Sequence, residues 1–198
     1  KVGHEIAKPD PDIVPLRLSD PWIRKLSGLS LQSVRVYFLL DGVRALKKEG
    51  RILFTHFGLS GPLIMNSARE VKKLLEKGEV TVVFDLHPKK DAKELDRHIL
   101  SVFSNNKNKM LKNVLPELMP KALIPTVLSF FPKEFGDRKV NGILVAERIT
   151  LGEILKGLSA SVEGLMGNDW AVISDGGVSL TEMDMRTMES KKVKGLFV

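Results

Sequence analysis

RILFTHFGLSGPLIMNSA, residues 51–68, is the stretch whose reading decides the rest. Arg51 to Phe54 reads as a strand, Thr55 to Gly61 as a glycine-bearing turn, and Pro62 opens an amphipathic helix that the spacing of Leu63, Ser67, Val71 and Leu74 carries to about Lys77. Proline is favoured at the first helical position, where its missing N–H costs nothing, and Ser60 or Gly61 can cap. Strand, Gly/Ser turn and helix N-terminus together present free amides to an anion or oxyanion. The same arrangement also serves simply to turn a corner, and local physics leaves both readings open.

Around this stretch the chain alternates between two characters. Leu31–Leu40 and Val80–Leu86 show strand periodicity, and Val43–Leu46 and Arg51–Phe54 flank a predicted turn at Lys47-Lys48-Glu49-Gly50. Residues 4–12, with Pro9 and Pro11, read as extended or loop, and Ile13–Leu18 as a short edge strand. From Lys89 to Leu158 the pattern is helical: Asp91–Phe103, Met110–Leu118, Ala122–Phe131, and Thr150–Leu158 with Thr150 and Glu153 as a capping box. After Ser159 strand character returns, with Ser161–Leu165 and Trp170–Ser174 joined by the turn Met166-Gly167-Asn168-Asp169, then a flexible break at Asp175-Gly176-Gly177-Val178. The expected fold class is α+β, a β-barrel-like domain (1–88 plus 159–198) interrupted by a small helical domain (89–158).

Composition removes several function classes. Among 198 residues, 43% are hydrophobic and 28% charged, which places the chain with globular proteins rather than disordered ones. There is no cysteine, hence no disulfide and no thiolate chemistry. No apolar run reaches the length of a membrane helix, and the expected compartment is the cytoplasm. The net charge is +7, and residues 89–139 hold eleven Lys/Arg against six Asp/Glu, so the helical part carries most of the excess. A basic balance suits either a solvated face or an anionic partner. The four histidines, His4, His56, His87 and His98, have no metal-ligand spacing, so no metal is expected. There is no G-x-S-x-G, Walker or G-x-G-x-x-G motif. His56, beside the turn glycines, is the one histidine placed to reach a ligand; His87 reads as structural and His98 as a surface residue. The apolar Gly195–Val198 reads as the start of a buried strand, and with Lys1 in place of a methionine it suggests a domain from a longer protein.

Residues 52–62, ILFTHFGLSGP, resemble the signature of the BaiN/aminoacetone-oxidase-like FAD-dependent oxidoreductases. Gly176-Gly177-Val178 and the later TMESK (187–191) and VKGLF (193–197) resemble that family's tail block, and Pro9–Leu16 its opening strand. The resemblance implies the insert region of a two-dinucleotide-binding-type flavoprotein. That insert covers the flavin and shapes the substrate pocket and, lacking the nucleotide motif, holds no FAD by itself. It implies that Thr55, Gly58, Ser60 and Gly61 face that pocket, with His56 the catalytic candidate, and that Gly176 and Gly177 lie against the isoalloxazine edge. The implied partners are the FAD-binding domain of the same parent chain and a small-molecule substrate, with neither membrane nor nucleic acid. The competing reading is a non-enzymatic basic module that binds nucleic acid or a protein.

Overall fold

A computed structural model describes residues 2–198. The first strand, β1 (Ile6–Ile13), stands outside the main sheet. Six strands then close a barrel: β2 (Leu16–Leu18), β3 (Ser30–Leu40), β4 (Val43–Phe54), β5 (Gly58–Ser60), β6 (Val80–Asp85) and β7 (Leu158–Leu165), in the order β2-β5-β4-β3-β6-β7. Every neighbouring pair is antiparallel. Alternation explains the closure: Val34, Val36 and Phe38, Ile52 and Phe54, Val80, Val82 and Phe84, and Leu158, Ala160 and Val162 are all buried and fill the interior. The hairpin turn between β3 and β4 is Asp41-Gly42, with φ of 48° and 81°, and not Lys47–Gly50, which lies inside a continuous β4. The two-residue Asp-Gly turn matches strand twist, so it takes the corner.

Because the strands alternate in direction, the ends of β2, β4 and β6 and the starts of β3, β5 and β7 share one end of the barrel. Three connections leave from it. One is α1 (Pro21–Lys25), whose Trp22 ring lies 6.3 Å from Phe54 and 6.1 Å from Phe84. The second is the β4–β5 turn. The third is the helical region between β6 and β7.

The helix expected over 62–77 is two: α2 (Pro62–Met65) and α3 (Ala68–Leu75). Buried Ser67 donates from Oγ to the Leu63 carbonyl at 2.7 Å, competing with the backbone at the break. Ser60 does not cap; the N-cap is Gly61, and Ser60 Oγ points at Met65 Sδ at 3.6 Å. With one turn of helix behind it, the Pro62 terminus carries little dipole, and the anion-site argument drawn from it falls.

The region between β6 and β7 holds α4 (Ala92–Asn105), α5 (Leu111–Val114), α6 (Ile124–Leu128) and α7 (Val145–Gly157), with 3₁₀ turns where Pro116 and Pro120 interrupt. Helix α4 is capped reciprocally by Asp91 and Glu94. Helix α7 begins five residues before the expected Thr150, with Glu147 accepting the Leu144 amide at 2.8 Å. Leu95, Ile99, Leu111, Leu115, Leu151 and Leu155 join the same core as the barrel residues. At the junction, buried Asp85 accepts the His87 amide at 3.0 Å and Lys156 Nζ at 2.8 Å; Lys156 also reaches the His87 and Lys90 carbonyls.

Of the two alternatives for residues 4–12, the extended one holds from Ile6 onward. β1 pairs antiparallel with β8 (Ile173–Val178) in a two-stranded ribbon. The break expected at Asp175–Val178 is therefore strand, and the strand expected from Trp170 is preceded by a 3₁₀ turn, Asn168–Trp170. Lys72 to Asp10 and Arg69 to Asp175 tie the ribbon to α3. The tail folds over the chain's beginning: His4 is clamped between Glu182 (2.7 Å) and Ser190 (2.8 Å). Phe197 and Val198 are exposed, and Phe197 makes an isolated bridge to Glu189, so no buried strand forms there.

Candidate functional site

The β4–β5 turn is pinned on both sides. Gly28 N donates to Phe54 O at 2.9 Å, Leu18 N to Phe57 O at 3.1 Å, and Thr55 N to Gly58 O at 2.9 Å. These bonds hold Thr55, His56 and Phe57 at the rim of a cavity of about 370 Å3 that Pro15, Gly28, Ser60 and Trp170 also border. One wall is aromatic: the Phe57 and Trp170 rings are 4.9 Å apart and T-shaped, and His56 stands edge-on to Phe57 at 5.0 Å. The polar side is Thr55 and Ser60. Thr55 Oγ1 accepts the Gly58 amide at 3.1 Å, which leaves its O–H free to donate. Ser60 has only a thioether sulfur at 3.6 Å, a weak acceptor.

Thr55, His56 and Ser60 thus come together at the rim of one cavity. The glycines have other work. A Cβ on Gly58 would sit 2.2 Å from the Leu16 carbonyl oxygen, and one on Gly61 would sit 3.0 Å from Leu53 N; both let neighbouring backbone approach. Gly176 and Gly177 lie on the β1–β8 ribbon. A Cβ on Gly176 would meet Lys8 O at 2.8 Å, whereas Gly177 faces open space. Asp175 is spent on the Gly176 amide (2.9 Å) and on Arg69 (3.6 Å). Sequence reasoning passed over Phe57, Trp170 and Pro15. Phe57 lay inside the quoted motif, and Trp170, one of two tryptophans, follows a turn signal, where a large exposed ring invites a ligand reading.

Of the other histidines, His87 bonds the Leu118 carbonyl at 2.8 Å, and burial lowers its pKa, so it stays neutral and structural. His98 stands 6.3 Å from it, ring to ring. Among the described residues no group of three or more His, Asp or Glu could hold a metal ion, and no helix is long and apolar enough to cross a membrane.

Residues 10–173 match the family described as the HI0933-like protein barrel and H2TH domain. A ribosomal RNA dihydrouridine synthase of Escherichia coli (strain K12) is 28% identical over 93% of this chain and 43% of its own length. The enzyme of the same name from Haemophilus influenzae is 26% identical over 98% of this chain and 45% of its own. A 3-dehydro-bile acid delta(4,6)-reductase of Clostridium scindens is 24% identical over 100% of this chain and 48% of its own. The chain spans somewhat under half the length of these relatives.

Proposed function

Since the chain belongs to the family of the HI0933-like barrel and H2TH domain, we propose that it is the substrate-side domain of a flavin-dependent reductase that hydrogenates a carbon–carbon double bond in a flat, carbonyl-bearing ring, with uracil in RNA as the substrate class. Dihydrouridine synthesis and delta(4,6) reduction, the activities in the relatives' names, share that chemistry. The sequence resemblance to FAD-dependent oxidoreductases supports the flavin. RNA takes the place of the small molecule expected from sequence.

The observation that carries the reading is the pocket at Thr55. Its cavity of about 370 Å3 is near the lower end for ligand sites: it suits a single base and not a dinucleotide. Phe57 and Trp170 offer a base a stacking wall and exclude water from one face. When hydride adds to the far end of a conjugated double bond, negative charge develops on the carbonyl oxygen. Thr55 has an O–H free to donate to that oxygen, Ser60 can turn its own there from the weak Met65 Sδ acceptor, and donors preset toward developing charge are a large source of rate. His56 is the candidate to deliver the proton that completes the reduction. The sequence carries no glycine-rich strand–helix turn of the kind that cradles a dinucleotide. In this reading the flavin is held by the rest of the parent protein and supplies the hydride. This chain binds, orients and protonates.

The test uses the full-length protein with reduced nicotinamide and ribosomal RNA lacking dihydrouridine. Nucleoside mass spectrometry should show the gain of two hydrogens on uridine, and Thr55→Val should lower kcat on the order of 10²-fold. RNA binding without reduction would make the chain a binding module instead. Reduction of a small enone but not of RNA would remove RNA from the reading.

A further inference from the structure

A second concavity, of about 520 Å3, opens at the start of α4 and is lined by Lys89, Lys90, Glu94, Arg97 and His98. Its charge is not balanced locally. The ion pairs of the helical region engage Lys112, Arg138, Arg148 and Lys156, and Lys89, Lys90 and Arg97 are in none of them. Glu94 is turned back to the Asp91 amide at 2.8 Å, and Asp91 in turn accepts the Glu94 amide at 2.7 Å, so both carboxylates are committed to capping. The cleft therefore holds three cations against the single lining carboxylate of Glu94, around a half-buried imidazole.

The cleft and the Thr55 pocket lie at the same end of the barrel. Phe54 borders the pocket, and Phe84 precedes His87 and Lys89 on the way into α4; the two rings are 5.7 Å apart. Trp22 of α1 packs on both, and α1 continues into Ser27 and Gly28, which border the pocket. Arg24 and Lys25 of α1 are exposed, and neither is paired among the described residues. Cations thus stand on α1 and at the start of α4, beside an aromatic-walled cavity sized for one base. A partner for this end must bring regularly spaced anions and a flat ring of one base's size. A nucleic acid strand supplies both.

Resting on the RNA reading above, we propose that this end of the barrel carries a phosphodiester track, Arg24 and Lys25 leading to the cleft of Lys89, Lys90, Arg97 and His98, that grips the single strand flanking the base held at Thr55 and Trp170.

Each phosphate neutralised on a single strand lowers the slope of log K against log salt by about 0.7, so five cations give a slope of about −3.5. The experiment measures binding of a uridine-containing single-stranded RNA oligonucleotide to the full-length protein across salt, alongside uridine reduction. Lys89→Ala/Lys90→Ala/Arg97→Ala should flatten the slope by about 2 and weaken binding about 100-fold at 0.1 M salt. The matched control is Lys107→Ala/Lys109→Ala/Lys139→Ala. These lysines lie near the far end of α4, roughly 20 Å away at 1.5 Å per residue, and the control should leave slope and affinity unchanged. Equal losses in both triples would mean diffuse charge and overturn the track. An unaltered slope in the cleft triple, with uridine still reduced, would overturn the track and leave the RNA reading standing. No RNA binding by the parent protein would overturn both.

Discussion

Replacing Asp85 with alanine should loosen the joint between barrel and helices before anything else. Its carboxylate is 1% exposed and binds Lys156 Nζ through both oxygens, at 3.0 and 2.8 Å, and the His87 amide at 3.0 Å; Arg35 stands 3.6 Å away. Breaking a buried pair by deleting one partner costs about 3–5 kcal/mol, because the survivor is left charged and dry. Here the survivor keeps two carbonyls, His87 O at 3.1 Å and Lys90 O at 2.6 Å, and its side chain is 23% exposed. The low end applies, about 3 kcal/mol for Asp85→Ala. With a urea m-value of about 2 kcal/mol/M, the midpoint should fall by about 1.5 M. Lys156→Met strands the more buried member and should cost at least as much. The double variant Asp85→Leu/Lys156→Met, which leaves no orphaned charge, should recover most of the loss. Hydrogen exchange at the Leu86 amide, which bonds Leu155 O at 2.9 Å, reports the joint directly. A midpoint shift below about 0.5 M, or a double variant weaker than either single one, would refute the reasoning.

Other outcomes follow from other sites. Gly58→Ala forces a Cβ to 2.2 Å from the Leu16 carbonyl and should separate β2 from β5, with a thermal melt showing a loss of roughly 3 kcal/mol or more. Trp170→Ala removes half of the aromatic wall and, on the RNA-reduction reading proposed above, should raise KM for RNA more than it lowers kcat in steady-state kinetics of the parent protein. The clamp at His4 should depend on acid. Glu182 has its pKa lowered from 4.5 to about 2 by Lys192 first and His4 second. A depressed carboxylate stabilises above its unfolded pKa and loses that contribution as pH falls through the folded value. The protection of the Glu5 amide, which bonds Glu182 at 3.1 Å, measured against its intrinsic exchange rate at each pH, should thus persist at pH 5 and fall between pH 4.5 and 2, and Glu182→Gln should remove that dependence.

The barrel was legible where burial imposes alternation. Val34, Val36 and Phe38 face inward and their neighbours do not, and Val80, Val82 and Phe84 repeat the pattern. The β1–β8 ribbon was not, because its residues are largely exposed and a strand that buries neither face writes no period into its sequence. The continuous helix failed at Ser67, whose hydroxyl bond to Leu63 O is a local competitor that apolar spacing does not register. Thr55, His56 and Ser60 were readable as neighbours because one short turn holds them. Trp170 reaches Phe57 from more than a hundred residues away, through the return of β7, and only the closed barrel puts the two together.

The whole helical region enters after β6 and leaves into β7, and these strands are direct neighbours, with Phe84 opposite Leu158. To the barrel, residues 86–157 are one long hairpin loop whose two feet stand a strand spacing apart. Lengthening such a loop from a few residues to roughly seventy adds only about 2.5 kcal/mol of closure entropy, which a segment with its own packed helices can offset. Closure of the barrel is therefore nearly insensitive to the length of the segment inserted there, although this segment packs into the barrel's own core. A lineage could lengthen or shorten this segment at small entropic cost while the β4–β5 turn, on another pair of strands, stays as it is.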